Sequence, residues 1–285
     1  MKKILVTGAN GQLGNECRTL AASITNAEFV FTDVAELSIT DSNAVEEIFS
    51  KNKFDYCINA AAYTAVDLAE TETELAQLIN ATAVGYLADA CRKNNCKLIH
   101  ISTDYVFDGT NETGYDVDDV TSPINVYGAT KLEGEKLALS LNPETIVIRT
   151  SWVYSFHGKN FVKTMIKLMQ ERESLNVVSD QIGKPTYAAD LASAIFQIIF
   201  SENEFVAGMY HFANQGVISW FDFAMAIKEI GGYNCNVNPI ASSEYPTPAK
   251  RPSYSILNTN KIEHTFNIEI PYWKDSLQKC MELLR

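Results

Sequence analysis

Two side chains four residues apart raise the question of chemistry. Tyr127 and Lys131 lie in the run Val126-Tyr127-Gly128-Ala129-Thr130-Lys131, and on a helix residues i and i+4 share a face. A free phenol titrates near pKa ~10, and a neighbouring ammonium favours the phenolate and lowers that value. Such a pair can give a proton to a carbonyl oxygen as its carbon is reduced. Thr103 follows the apolar run at residues 98–101. That is the carboxyl edge of an expected strand, where sites form in open α/β sheets. Its hydroxyl can hydrogen-bond the same oxygen, and Asp104 stands next to it. Tyr-x-x-x-Lys alone is also the pattern of a solvated helix face, and a strand-end threonine can simply cap a loop. The three residues in this order favour chemistry.

A second constellation opens the chain: Thr7-Gly8-Ala9-Asn10-Gly11-Gln12-Leu13-Gly14. Gly8, Gly11 and Gly14 follow an expected strand and open an expected helix, the context in which a dinucleotide pyrophosphate is held. Gly8 permits the turn, Gly11 lets backbone approach phosphate, and Gly14 allows helix to pack closely on strand. The helix N-terminus adds N–H donors and a partial positive charge. The spacing is Gly-x-x-Gly-x-x-Gly rather than Gly-x-Gly-x-x-Gly. Asp33, at the expected end of the second strand, can bind ribose hydroxyls and would repel a 2′-phosphate, which favours NADH over NADPH. Asn59-Ala60-Ala61-Ala62 ends the third strand with small residues that leave room for a ring or ribose, or for tight packing.

The elements that must position these groups alternate regularly. Strands are expected at residues 3–6, 29–31, 56–58, 98–101 and 146–148. Helices are expected at 12–24, 44–50 and 126–139, with a long one to about Arg92 whose start is marked by the capping-box spacing Thr71-Glu72-Thr73-Glu74. Apolar strands alternating with amphipathic helices imply an α/β fold: a Rossmann-type doubly wound parallel sheet with both faces covered. Residues 1–150 read as the dinucleotide-binding domain, with 175–200 returning to it. Residues 151–174 and 201–285, including the runs 209–212, 221–230 and 237–240, read as a smaller substrate-binding lobe.

Of 285 residues, 46% are hydrophobic, enough to bury a core. The formal net charge of −12 argues against nucleic acid as a partner. It also means that an anionic ligand needs local cations; Lys184, Lys250 and Arg251 are the candidates. The six cysteines form no Cys-x-x-Cys pair, so reduced thiols in a cytoplasmic protein are expected rather than zinc or disulfides. No run reaches membrane-spanning length, and Met1-Lys2-Lys3 is not followed by a signal-peptide core.

The stretches 8–14, 59–67, 100–109, 149–154, 160–162, 180–186 and 246–252 resemble the extended short-chain dehydrogenase/reductase family, nearly end to end. The last four are more specific than the cofactor motif, and point to a branch acting on nucleotide sugars. The resemblance implies reduction of the 4-keto group of dTDP-4-dehydro-L-rhamnose to dTDP-L-rhamnose with NADH or NADPH. It implies that Thr103, Tyr127 and Lys131 are catalytic. Gly8, Asn10, Gly11, Gln12, Leu13, Gly14, Asp33, Ser38, Ile39, Ala60, Ala61, Ala62, Tyr127 and Lys131 would line the cofactor. Thr103, Asp104, Trp152, Asn160, Gln181 and Arg251 would meet the substrate. Arg251 offers a fork of donors suited to phosphate, and Trp152 a flat apolar wall, or simply core packing. Some family members hold magnesium at a dimer interface. Glu16 matches one of their acidic residues, but Ala189 replaces the other, with Asp190 displaced by one. A hard cation preferring six oxygens is poorly served, so no metal and a monomer or weak homodimer are expected.

Three rival readings differ at identifiable points. An elimination enzyme of this family needs an acid–base pair after the threonine, and here Asp104 is followed by Tyr105. An epimerase would keep its cofactor and show no net redox change. A non-catalytic, dinucleotide-binding regulatory subunit has no need of an intact Thr103, Tyr127 and Lys131.

Overall fold

The computed structural model describes residues 1–201 and 204–284; Glu202, Asn203 and Arg285, which fall in the expected lobe, lie outside the described residues. Five strands, β1 (Lys2–Thr7), β2 (Ala27–Thr32), β3 (Tyr56–Asn59), β4 (Lys97–Thr103) and β5 (Thr145–Thr150), form one parallel sheet with a sixth, Gly208–His211. The order is Gly208–His211, β5, β4, β3, β1, β2. Strand side chains alternate strictly between two cores. Ile4, Val6, Ile58, Ile99, Ile146 and Ile148 face α1 (Gln12–Ala21) and the helix Ala188–Phe200. Leu5, Cys57, Leu98 and Val147 face the helices Ser42–Lys51, Ala83–Lys93 and Val126–Leu141. This period-two division is what a sheet covered on both sides requires.

Two strands fall elsewhere than expected. Residues 209–212, read as lobe, supply the sixth strand of the main sheet, pairing Tyr210 with Ile148. Ser174–Val178, read as returning to that sheet, pairs instead with Asn236–Ile240 in the lobe; only Ala188–Phe200 returns, against α1. Short apolar strands carry no mark of which sheet they join. The expected capping box also fails. Thr71 donates to the Leu68 carbonyl at 3.1 Å, closing an unexpected short helix Val66–Ala69, and the long helix begins at Thr73. That helix carries a π-helical turn at Leu78–Thr82. The lobe packs Tyr154, Val162, Met165, Leu175, Phe223, Trp273 and Leu277 into its own core. A three-stranded ribbon of Ile218–Ser219, Ile182–Gly183 and Tyr254–Ser255 lies within it. Among the described residues no helix is long and apolar enough to cross a membrane, and all six cysteines are buried and unpaired.

The helix Val126–Leu141 is seated with unusual closeness. A side chain at Gly128 would drive its β-carbon into the Tyr105 carbonyl, and one at Gly134 into the Asn80 carbonyl. Asn125 caps the helix, accepting from the Gly128 N–H at 2.8 Å, while the Val126 N–H donates to Glu70 at 2.9 Å. Further along, Glu135 accepts both forks of Arg149 on β5 at 2.9 and 2.8 Å, with both side chains almost fully buried. Bidentate charge-assisted bonds of this kind resist displacement. Replacing Gly128 with alanine should force the helix off the end of β4. The expected cost is about 1–3 kcal/mol by denaturant titration and about 10²-fold in turnover. Wild-type values of both would show that the seat is not tight.

Candidate active site

The chain reverses its lateral direction between β1 and β3, so a crevice opens above the paired strand ends Thr7 and Asn59. Gly8 has φ +66°, and a β-carbon there would lie 2.6 Å from the Ala61 nitrogen. The turn and the half-buried Ala60, Ala61 and Ala62 therefore share the floor of that crevice. The backbone of Gly11 caps α1 without any side-chain bond, and no acidic residue occupies the first turn. Such a terminus suits an anion. Gly14 lets the Gly8 carbonyl and Ala9 approach the helix. The Asn10 N–H donates to Asp33 at 2.9 Å, and Val34 N–H donates to the other oxygen at 2.8 Å. The carboxylate is thereby fixed beside the loop at the end of β2. Leu13 and Ile39 turn into the cores, so only their backbones can face the crevice. Ser38 is half-buried against Thr40 at 2.8 Å.

β4 and β5 end in register at Thr103 and Thr150. The Thr103 hydroxyl donates to Asp104 at 3.0 Å and accepts from the Tyr105 N–H at 3.2 Å. Tyr127 lies close enough to Thr103 for that hydroxyl to pull its pKa down, and its ring meets Tyr105 edge-on at 5.5 Å. Thr103 and Tyr127 are thus brought together, with Lys131 one turn further along the helix. The Lys131 ammonium donates to the Ile101 carbonyl at 2.6 Å, and the side chain is buried. Beneath it, Thr7 donates to Asn59 at 2.8 Å, and Asn59 bonds His100 at 3.1 Å. Burial, then the Lys131 charge, holds that imidazole neutral.

The electrostatics differ from expectation in one respect. Burial pushes the Tyr127 phenol up to about 12; the nearby Thr103 hydroxyl acts against this, and the Asp104 charge adds to it. Burial also lowers Lys131 to about 8, against the pull of Glu135. The ammonium is committed to a backbone carbonyl and does not acidify the phenol in the free protein. Burial likewise raises Asp104 to about 6, with Ser255 and Thr103 opposing. Asp104 Oδ2 is buried without a partner of good geometry, although the Ser255 hydroxyl lies beside it.

The expected substrate residues fare unequally. Trp152 lies two residues past the end of β5 and stacks on Trp220 at 3.7 Å. Arg251 is not a free fork: its two outer nitrogens donate to Asp67 at 3.0 and 2.8 Å, and one also donates to the Ala249 carbonyl at 2.9 Å. Asn160 caps Phe161–Glu171 and donates to Gln12 at 2.9 Å, so it ties the lobe to the start of α1. Gln181 donates to Ser242 at 3.1 Å. Lys184 is buried against the Leu257 carbonyl, whereas Lys250 is exposed. Glu16 accepts from Ser155 at 2.6 Å, and Asp190 from Asn214 at 2.6 Å and from Ser276. Asn125, Glu70 and Ser255 were not singled out from sequence. Only Asn125 carried a signal, as a helix-capping type just before a helical pattern.

A parallel sheet with a glycine turn at its reversal point, facing a threonine and a tyrosine at the next strand end, defines a dinucleotide-dependent oxidoreductase of the short-chain class. The family described as the RmlD substrate binding domain matches residues 1–285, and the chain belongs to it. A dTDP-4-dehydrorhamnose reductase of Aggregatibacter actinomycetemcomitans is 42% identical over 98% of each chain. The crystal structure of a dTDP-4-dehydrorhamnose reductase from Clostridium acetobutylicum superposes with TM-score 0.95 at 42% identity, covering 99% of both chains. That of the Bacillus anthracis enzyme, in complex with NADP, gives 0.94 at 39%, covering 99% of this chain and 100% of that one.

The depressed Lys131 makes a direct prediction. Lysine Cε resonances in a 13C NMR titration should include one with a midpoint near pH 8, absent from Lys131→Met. Because the unfolded chain then binds the extra proton between about 8 and ~10.4, this group alone makes stability rise with pH across that window. A spectrum in which every lysine titrates above ~10 would contradict the burial argument.

Proposed function

We propose that this chain reduces the 4-keto group of dTDP-4-dehydro-L-rhamnose to dTDP-L-rhamnose, using a reduced nicotinamide dinucleotide and a proton from Tyr127. The observation that carries the reading is the meeting of Thr103 and Tyr127 at the end of β4, beside the crevice floored by Gly8. The names of the relatives at about 40% identity agree with it.

The residues present fit the cofactor: a side-chain-free turn, an uncapped helix terminus and a carboxylate held at the end of β2. Asp33 would take the ribose hydroxyls, and its charge favours NADH over NADPH. Bound there, the reduced dinucleotide supplies a hydride to the sugar carbon. Tyr127 and Thr103 would both bond the 4-keto oxygen, Thr103 orienting it and Tyr127 releasing its proton to the alkoxide. A phenol held at about 12 keeps that proton at neutral pH, which a donor in the reductive direction requires. Lys131 would hold the nicotinamide ribose and offset the phenolate left behind. Asp104, with an unpaired buried oxygen, would accept from a sugar hydroxyl. Trp152 would wall the deoxysugar, and Arg251 would meet the diphosphate once released from Asp67. The six unpaired cysteines support a cytoplasmic site of action.

With dTDP-4-dehydro-L-rhamnose, NADH absorbance should fall in step with dTDP-L-rhamnose formation. Tyr127→Phe should lose about 10²–10⁴ in turnover while NADH affinity changes little. A variant turning over at the wild-type rate would remove Tyr127 from its role. Because Glu16 and Asp190 are already committed to neutral partners, turnover and the monomer or weak homodimer should survive EDTA. Loss of either would restore a metal.

A further inference from the structure

Trp152 sits in strained backbone. Its φ of +49° lies in the left-handed region, where a bulky residue persists only if its surroundings over-determine it. The structure supplies that determination from two neighbours. One face of the indole stacks on Trp220, with centroids 3.7 Å apart and planes 14° from parallel. Gly183 abuts the indole as well: a β-carbon there would come within 2.8 Å of the indole atoms Cε2 and Cζ2 and 2.7 Å of the Ser255 hydroxyl. Gly183 pairs with Ser255 and Ile218 in the three-stranded ribbon. The ribbon therefore brings together the residue that abuts Trp152, the hydroxyl beside Asp104, and the strand leading into Trp220. Trp220 is itself fixed. It is the first residue of the helix Trp220–Gly231, begun by a reciprocal Ser219–Asp222 capping box at 3.0 and 2.9 Å, and its ring packs on Phe161 at 4.6 Å.

We propose that Trp220 is a positioning residue for sugar-nucleotide recognition: by covering one face of Trp152 it holds that residue in its left-handed conformation and leaves a single defined face for the deoxysugar. The proposal rests on the reading of Trp152 as the wall of the sugar site. A stack that served only the lobe core would affect folding and both substrates alike. A positioning stack affects the sugar nucleotide alone.

The test uses the full chain and four variants: Trp152→Ala, Trp220→Ala, Trp220→Phe and Gly183→Ala. The readouts are KM and kcat for dTDP-4-dehydro-L-rhamnose, NADH affinity by fluorescence, and near-UV circular dichroism of the indole pair. Trp220→Ala should raise KM by about three- to tenfold, with kcat and NADH affinity within about twofold of wild type. Trp220→Phe, which keeps a smaller ring, should recover part of the loss. Gly183→Ala should push against the indole and raise KM in the same way. If Trp220→Ala does not fold, Trp220→Phe and Gly183→Ala decide by the same criteria. If Trp152→Ala raises KM but neither Trp220 variant does, the proposal is overturned while the sugar wall stands. If Trp152→Ala itself leaves KM unchanged, the wall reading fails and the proposal falls with it. Equal losses in NADH affinity and KM would also overturn it, as the mark of a purely structural stack.

Discussion

The seat of one helix on the ends of two strands governs this molecule. Val126–Leu141 lies so close to β4 that glycine is required beneath the Tyr105 carbonyl, and Arg149 on β5 grips Glu135 from within the core. The contact sets the distance between a phenol on the helix and a hydroxyl at the strand end. Proton transfer is sensitive to that distance, because a donor must lie within hydrogen-bond reach of the atom it serves. Neither residue could hold the geometry by its own side-chain bonds. Thr103 is already engaged with Asp104 and the Tyr105 N–H, and Tyr127 is placed by the helix it rides on.

Around this seat, the two halves of the chain are fastened by a small number of polar ties. The short helix Val66–Ala69 acts as a bracket. Glu70 at its end receives the Val126 N–H, while Asp67 grips Arg251 and the Ala249 N–H, at 3.1 Å for the latter. Asn125 closes the circuit by donating to the Lys250 carbonyl at 2.8 Å. The start of the helix Val126–Leu141 and the segment 249–251 are therefore held by Asp67, Glu70 and Asn125 together. On the other side of the crevice, Gln12 and Glu16 of α1 bond Asn160 and Ser155.

Much of the architecture was legible because its causes are local. Strand and helix periods, the glycine turn and the Asp33 strand end are written in consecutive residues, and so is the i, i+4 placement of Tyr127 and Lys131. The misassignments share a different cause. Residues 174–178 and 208–211 are short apolar strands whose sheet is chosen by partners distant in the chain. Thr71 lost its cap role because the preceding residues had already formed a turn of helix. In the site, the resemblance named Arg251 and Asn160 as candidates to meet the substrate, but sequence could not reveal that Asp67 and Gln12 already bond them. The phenol was expected to be acidified by its neighbouring ammonium. Burial, which depends on the whole surrounding fold, outweighed that local pairing.

The central claim is that one sugar oxygen is held jointly by the strand-end hydroxyl and the helix phenol. A crystal structure of the ternary complex with NADH and dTDP-L-rhamnose tests it most directly. The account predicts the C4 oxygen within hydrogen-bond distance of both Thr103 Oγ1 and Tyr127 Oη, with C4 facing the nicotinamide. A sugar whose C4 oxygen bonds neither group, or lies away from the crevice above Gly8, would contradict it.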